Sequence, residues 1–323
     1  MRALICSTLD GFEALTVGEL PDPELERATA RVRVEAAGVN FPDLLVTRGM
    51  YQDQPPLPFA PGMELAGTVT EVGDGVDGVR VGDRVFGYVS HGAYAEQAVV
   101  EADALYPIPE GMSVEMAAGL PIAYGTSYHA LVDRGELRDG ETLLVLGAAG
   151  GVGMAAVQIG AALGGRVIAA VSSGPKAEAA AGAGAAEVLR YDEEGLRDGL
   201  KRLAPAGVDV VYDPVGGDMT ESAFRSLAWR GRHLVIGFAG GSIPSLPVNL
   251  TLLKGASLVG VFWGRFASTE PAANRANFAT LSKMWEDGRI APSVSEGYRL
   301  DEAVEALRRL DGRQAIGKLI VRP

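Results

Sequence analysis

The sequence predicts an α/β protein in two parts: a compact, partly open antiparallel β-barrel and a doubly wound parallel sheet flanked by helices. Three observations carry this expectation. Up to about Ala102, short alternating apolar segments are cut by glycine and proline, the pattern of antiparallel strands joined by turns. From Thr142 onward, apolar runs of strand length alternate with apolar periodicity of helix length, which makes βαβ units and hence a parallel sheet. The length, 323 residues, suits two cores at roughly 150 residues each.

Met1–Ser7 reads as a short first strand. In the barrel part the strands are Ala30–Ala36, Gly67–Val72, Asp83–Phe86 and Tyr94–Val99, with a short helix over Pro42–Arg48 ended by Gly49. After Ile108-Pro109 the character changes, and Val114 to Leu131 is apolar at helical spacing. Sheet strands follow at Thr142–Leu146, Arg166–Val171, Glu187–Leu189, Val208–Asp213, Arg232–Gly237 and Ser257–Val261. The helices between them cover Val152–Leu163, Lys176–Ala183, Glu194–Leu203 and Met219–Leu227. A helix near Asp301–Leu310 and a strand over Lys318–Val321 return the tail to the barrel. The barrel part is therefore expected over residues 1–120 and 264–323, and the parallel sheet over 121–263. Gln52–Phe59 and Ala267–Ala272 carry no periodic pattern and are expected as loops.

Composition narrows the function classes. Glycine, 43 of 323 residues, is well above the usual ~7% share and shows no every-third-residue period, so it serves turns and close backbone approaches. The net charge of −12 repels a phosphate backbone, so no nucleic-acid partner is expected. No apolar run reaches the roughly 18 residues of a membrane helix, and nothing near Met1 resembles an export signal. The single cysteine, Cys6, cannot form an internal disulfide, and a reducing cytoplasm is the expected setting. With one cysteine and three scattered histidines, His91, His129 and His233, no metal is expected either.

The clearest chemical motif is Gly147-Ala148-Ala149-Gly150-Gly151-Val152-Gly153, set between an apolar strand and an apolar helix. Glycines let the backbone approach a pyrophosphate, and the helix N-terminus aims unpaired N–H groups at it. That context makes the loop a dinucleotide site. An acid about 20 to 25 residues further on would bind a ribose 2′-hydroxyl. Ser172, Ser173 and Lys176 stand there instead, donors suited to a 2′-phosphate, so NADPH is the expected cofactor.

Several further segments join this loop: Ala37-Gly38-Val39-Asn40-Phe41-Pro42-Asp43-Leu44, Pro61-Gly62-Met63-Glu64-Leu65-Ala66-Gly67, Val81-Gly82-Asp83-Arg84-Val85, Gly92-Ala93-Tyr94-Ala95-Glu96, Tyr212-Asp213-Pro214-Val215-Gly216-Gly217 and Val261-Phe262-Trp263-Gly264. With them the chain resembles, along essentially its whole length, the zinc-independent quinone oxidoreductase branch of the medium-chain dehydrogenase/reductase superfamily. The resemblance implies a GroES-like barrel as catalytic domain and a Rossmann nucleotide-binding domain. Zinc-dependent members carry cysteine at the position of Asn40, histidine at Met63 and a second cysteine near Ile122; here all three are amide or apolar.

The resemblance implies direct hydride transfer from nicotinamide C4 to a quinone or related conjugated carbonyl. Asn40 is implied beside the nicotinamide ribose and the substrate, and Tyr51 in the substrate pocket, where related enoyl-thioester reductases use a tyrosine as proton donor. Thr126 is implied at the nicotinamide end, Gly150, Gly151 and Val152 at the pyrophosphate, and Ser173, Lys176 and Tyr191 at the adenosine phosphate. Val215, Phe238 and the Phe262-Trp263-Gly264 backbone are implied around the nicotinamide. Such an acceptor develops negative oxygen charge and needs hydrogen-bond donors, a role Asn40 and Tyr51 can chemically serve. Alternatively, Asn40 caps the helix after it and Tyr51 is a loop aromatic. Two rival functions stay open: an enone or enoyl-thioester reductase, for which Arg265 is the local basic hint, and a weakly active nucleotide-binding protein with a structural role. A homodimer is expected through Ser257–Val261, an edge strand that otherwise leaves an apolar edge unpaired.

Overall fold

The computed structural model describes all 323 residues. The chain forms two compact units, Met1–Ile122 with Pro292–Pro323, and Ala123–Ala291. The first unit is discontinuous as the sequence predicts, but its second piece starts at Pro292, not at residue 264.

The first unit opens with β1 (Arg2–Ile5) paired to β2 (Thr16–Glu19), then β3 (Thr29–Gly38) and the short helix α1 (Phe41–Thr47). There follow β4 (Glu64–Val72), β5 (Arg84–Tyr88), β6 (Gln97–Glu101), β7 (Leu105–Pro107), α2 (Val114–Ala118) and α3 (Pro121–Tyr128), which runs past the end of this piece. The apolar stretch Val114–Leu131 is thus not one helix. Gly119 ends α2, and Pro121 opens α3, a position where its missing N–H costs nothing.

In the second unit, β8 (Thr142–Leu146), α4 (Gly151–Ala162), β9 (Arg166–Val171), α5 (Gly174–Gly182), β10 (Glu187–Arg190), α6 (Leu196–Leu203), β11 (Val208–Asp213), α7 (Asp218–Arg225) and β12 (Leu227–Val235) alternate in order. Helix α8 (Asn249–Lys254), strand β13 (Ser257–Gly260) and helices α9 (Trp263–Thr269) and α10 (Pro271–Glu286) complete it. The six strands are all parallel, in the order β10-β9-β8-β11-β12-β13. Leu143 to Leu146 and Val167 to Ala170 are fully buried, as befits strands covered on both faces. Residues 264–291 stay with this unit because their side chains are anchored in it. The Trp263 indole N–H donates to Asn274 Oδ1 at 3.0 Å, and Gln158 on α4 holds both the N–H and the C=O of Ala291. The expected loop Ala267–Ala272 is instead the junction of α9 and α10, where Pro271 starts the second helix.

The chain then returns to the first unit with β14 (Val294–Arg299), α11 (Ala303–Asp311) and β15 (Lys318–Arg322). Its main sheet runs β14-β15-β3-β4-β5-β7, with β6 also on β3. Every pair is antiparallel except β14 with β15. Ile320 and Val321 pair with Gly38 and Ala37, so the last strand ends against the stretch leading to Asn40. Leu4, Leu44, Leu65 and Leu319 lie within its core at 1% exposure or less, each removing on the order of 2 kcal/mol worth of apolar surface from water. No helix is long and apolar enough to cross a membrane.

Candidate cofactor and active site

In the second unit the site residues gather at the carboxyl ends of parallel strands, where open α/β sheets place their ligands. β8 ends at Leu146 and the glycine loop follows: Gly147 has φ +57°, Gly150 caps α4 and Gly151 is its first residue. A Cβ on Gly153 would stand 2.2 Å from the Gly147 carbonyl oxygen, and one on Gly147 would meet Val215 at 3.0 Å. Only hydrogen fits, so a ligand can approach the backbone closely at the positive end of a twelve-residue helix, although the Ala148 and Gly150 N–H groups are already bonded to the Ala170 and Gly147 carbonyls. Nothing but backbone is presented there, and that fits a pyrophosphate. Val152 adds its C=O, which accepts the Ser127 hydroxyl at 3.0 Å; the same hydroxyl meets the Tyr212 OH at 2.9 Å.

At the end of β9, Ser172 and Ser173 are half-buried, with Ser173 at the N-cap of α5. Lys176 on α5 reaches Ser172 Oγ at 3.3 Å, and the Tyr191 N–H donates to the Val171 carbonyl at 3.1 Å. The three adenosine-end residues thus gather at the ends of two neighbouring strands, Ser173 and Lys176 after β9 and Tyr191 after β10, and no carboxylate comes from β9 itself. Arg190, which the sequence did not single out, also comes near, 3.9 Å from where a Cβ on Gly174 would lie, although Asp192 and Glu193 pair with it.

Beyond β11 the Pro214–Gly217 turn is held from below. Asp213 Oδ1 accepts the N–H groups of Val215 at 2.9 Å and Gly216 at 2.8 Å, while Oδ2 accepts the Thr220 hydroxyl and His233 Nε2. Burial works to raise the Asp213 carboxyl, but the His233, Gly216 and Thr220 contacts outweigh it and hold it below the usual range. Phe238 packs over Gly216, where a Cβ would come within 2.8 Å of its ring. Phe262 is exposed, whereas the Trp263 indole is buried against Gly125 of α3, and Gly264 after it is half-buried. Thr126, next on α3, is half-buried.

Asn40 and Tyr51 lie in the first unit. Asn40 ends β3 as the N-cap of α1, and its N–H donates to Asp43 Oδ2 at 2.8 Å. The Asp43 N–H in turn donates to the Asn40 carbonyl at 3.1 Å. Asn40 Nδ2 donates to Glu64 Oε1 at 2.9 Å and to the Gly38 carbonyl at 3.3 Å, and Asn40 Oδ1 accepts from Lys318 Nζ at 2.5 Å. Lys318 also pairs with Glu64, whose other oxygen accepts the Ile122 N–H at 2.8 Å in the first turn of α3. So Asn40 offers no free donor, contrary to the expectation from its residue type.

Beside this set, Tyr94 donates to Asp43 Oδ2 at 2.6 Å, while Asp43 Oδ1 is buried without a partner. Burial pushes the Asp43 carboxyl up to about 7, against the lowering effects of Tyr94, the Asn40 N–H and Lys318. Tyr51 sits in the loop after α1, half-buried on the barrel core, with no hydrogen bond to its hydroxyl. Burial first, then Asp53 and Asp43, raises that hydroxyl above its ordinary value, so it stays protonated at neutral pH. Glu64, Lys318, Asp213 and His233 are polar partners of the candidate residues and turns that the sequence did not mark. Glu64 and Asp213 stood inside quoted motifs, but Lys318 had no local signal at all. No group of three or more His, Cys, Asp or Glu side chains is placed to hold a metal ion.

Two family models match the chain: the alcohol dehydrogenase GroES-like domain over residues 26–110 and the zinc-binding dehydrogenase domain over residues 151–278. Quinone oxidoreductase-like protein 2 of Mus musculus is 40% identical over 322 residues, covering 99% of this chain and 91% of its own. The Escherichia coli quinone oxidoreductase, solved in complex with NADPH, superposes with a TM-score of 0.93 at 29% identity over 100% of both chains. A mycobacterial protein complexed with NADPH superposes with the same TM-score, 0.93, at 31% identity, also over 100% of both. Barrel and parallel sheet are thus a GroES-like and a Rossmann domain, and the chain belongs to the quinone oxidoreductase branch of the medium-chain dehydrogenase/reductase superfamily.

Proposed function

We propose that the chain is an NADPH-dependent, zinc-free reductase that passes hydride to a quinone or a related conjugated carbonyl. The observation that carries this reading is the strand-end pair in the second unit: a backbone-only glycine loop beside Ser172, Ser173 and Lys176, with no acid closing β9. The likeness to structures solved with NADPH supports it.

When bound, the nicotinamide supplies the hydride. Gly150, Gly151 and Val152 would hold the pyrophosphate, and Ser173, Lys176 and Tyr191 the adenosine phosphate. Thr126, Val215, Phe238, Phe262, Trp263 and Gly264 would border the nicotinamide end, with Asp213 keeping the Val215 turn in shape. Asn40 and Tyr51 are the residues proposed on the reacting side. An enone accepts hydride at its β-carbon and becomes an enolate, so it needs a proton as well. The Tyr51 hydroxyl, half-buried and protonated, is the proposed donor of that proton, and conjugated carbonyls are the proposed second acceptor class. A quinone's reduced oxyanion can take its proton from water.

A panel of quinones, enones and enoyl-thioesters assayed with NADPH and with NADH tests the reading. Turnover of quinones with preference for NADPH is expected, unaffected by EDTA. Preference for NADH, or activity lost with a stoichiometric zinc, would overturn it. The homodimer is proposed on the same footing. β13 is the sheet's open edge, and Trp229, Val248, Leu252, Leu253 and Leu258 on or near β12, β13 and α8 are exposed. A light-scattering mass near 33.7 kDa at micromolar concentration would argue against it.

A further inference from the structure

The Asn40 side chain sits in a prepared setting. Lys318 opens β15, and its side chain is 7% exposed beside a Glu64 that is fully buried. Two glycines leave room for the pair. A Cβ on Gly38 would stand 2.0 Å from Glu64 Oε1 and 2.8 Å from Lys318 Cε, and one on Gly119 would stand 3.0 Å from Lys318 Cγ.

This setting decides which way the Asn40 carboxamide faces. An ammonium has only donors, so the Asn40 atom it meets must be the oxygen; an ionised carboxylate has only acceptors, so it must face the nitrogen. Turning the amide over would set NH₂ against NH₃⁺ and C=O against COO⁻, two repulsive contacts in a buried place. Both amide hydrogens then have acceptors, Glu64 Oε1 and the Gly38 carbonyl. What remains available on Asn40 is the second lone pair of Oδ1.

We propose that Lys318, with Glu64 as its counter-ion, is a positioning residue that locks the Asn40 carboxamide so that Asn40 meets the bound cofactor as a hydrogen-bond acceptor for a sugar hydroxyl, and not as a donor to a reacting oxygen. The inference rests on the reading of Asn40 as a cofactor contact and changes its chemical role. The donor role at the reacting oxygen then falls to Tyr51. A buried ion pair is a poor source of stability, since an apolar replacement often does as well, but it is a strong way to enforce one orientation.

Equilibrium NADPH binding to the full chain, followed by nucleotide fluorescence, tests this. Removing Lys318 alone strands a buried carboxylate and risks unfolding, so the informative variant is the neutral double K318M/E64Q, with thermal unfolding as a check of folding. N40A and K318M/E64Q are each expected to weaken NADPH by about five- to tenfold, the scale of one hydrogen bond. Combined, they should be no weaker than N40A alone, because Lys318 acts only through Asn40. Multiplying effects, or wild-type affinity in folded K318M/E64Q, would overturn the proposal. The second arm exchanges the acid, N40D/E64Q, which keeps the charge count and an acceptor at position 40 but removes both N–H donors. Affinity within about threefold of wild type is expected; a loss equal to that of N40A would overturn the acceptor role. A wild type that binds NADPH but reduces no acceptor would defeat the proposed reaction and leave this binding cycle to decide the inference. A wild type that binds no NADPH would defeat both.

Discussion

The two units recognise their share of the chemistry in opposite ways. The second unit presents backbone: a tight glycine loop, a helix end and positions where a Cβ would not fit. The first unit presents side chains, with Asn40, Asp43, Glu64, Tyr94 and Lys318 buried and joined by hydrogen bonds. A backbone site depends on the local conformation of a few consecutive residues. A buried side-chain network depends on strands that come from the two ends of the chain. The first kind therefore fails by steric intrusion and the second by unbalanced charge, and the following variants should separate them.

The largest effect is expected from Gly153→Val, whose branched side chain must displace the Gly147 carbonyl. NADPH binding measured by fluorescence should become undetectable in a protein that keeps its first unit folded; retained affinity would break the backbone half of the comparison.

Asp43→Asn probes the other half through pH. The Asp43 carboxyl, raised to about 7 in the folded chain against an ordinary 3.8, holds its proton longer when folded. Its contribution is therefore fully present below pH ~4 and is lost as pH rises through ~7. Relative to Asp43→Asn, the wild type should lose on the order of a few kcal/mol of unfolding free energy across that window. Denaturant titrations at pH 4, 5.5 and 7 would read this, and parallel curves for the two proteins would refute it.

Tyr51→Phe keeps the ring and removes the hydroxyl. Turnover of enones should fall by about 10- to 100-fold, toward the lower range for a positioned acid, with quinones less affected and NADPH affinity unchanged. Equal rates on both classes would leave Tyr51 as a pocket wall. The smallest effect belongs to Lys176→Ala, at a half-exposed ammonium. The KM for NADPH should rise by about tenfold, the scale of a charge-assisted hydrogen bond, while that for NADH barely moves. A parallel rise for both would remove Lys176 from phosphate recognition.

Legibility followed the same division. The strands read at Thr142–Leu146, Arg166–Val171 and Val208–Asp213 coincide with β8, β9 and β11, because burial on both faces writes an unbroken apolar run. The strand read at Arg232–Gly237 begins earlier, at Leu227, with exposed Trp229 and Arg230 that carry no apolar pattern. β14 alternates between half-buried and exposed at the sheet edge, and its Val-Ser-Glu-Gly-Tyr-Arg gives little contrast. Ala267–Ala272 carries no periodic pattern and reads as a loop, whereas in the fold Pro271 within it is the first residue of a sixteen-residue helix.

By itself, the sequence determined the two-part α/β architecture, the glycine loop with its strand before and helix after, and the absence of an acid at the end of β9. Each is written in neighbouring residues, and local conformation is a property of neighbours. The tertiary structure alone decided that residues 264–291 belong with the parallel sheet, and that Asn40 faces an ammonium and a carboxylate from positions 318 and 64. It also decided that both Asn40 amide hydrogens are already bonded. An asparagine's chemistry is set by what its two indistinguishable-looking ends touch, and those partners become neighbours only when β15 closes on β3.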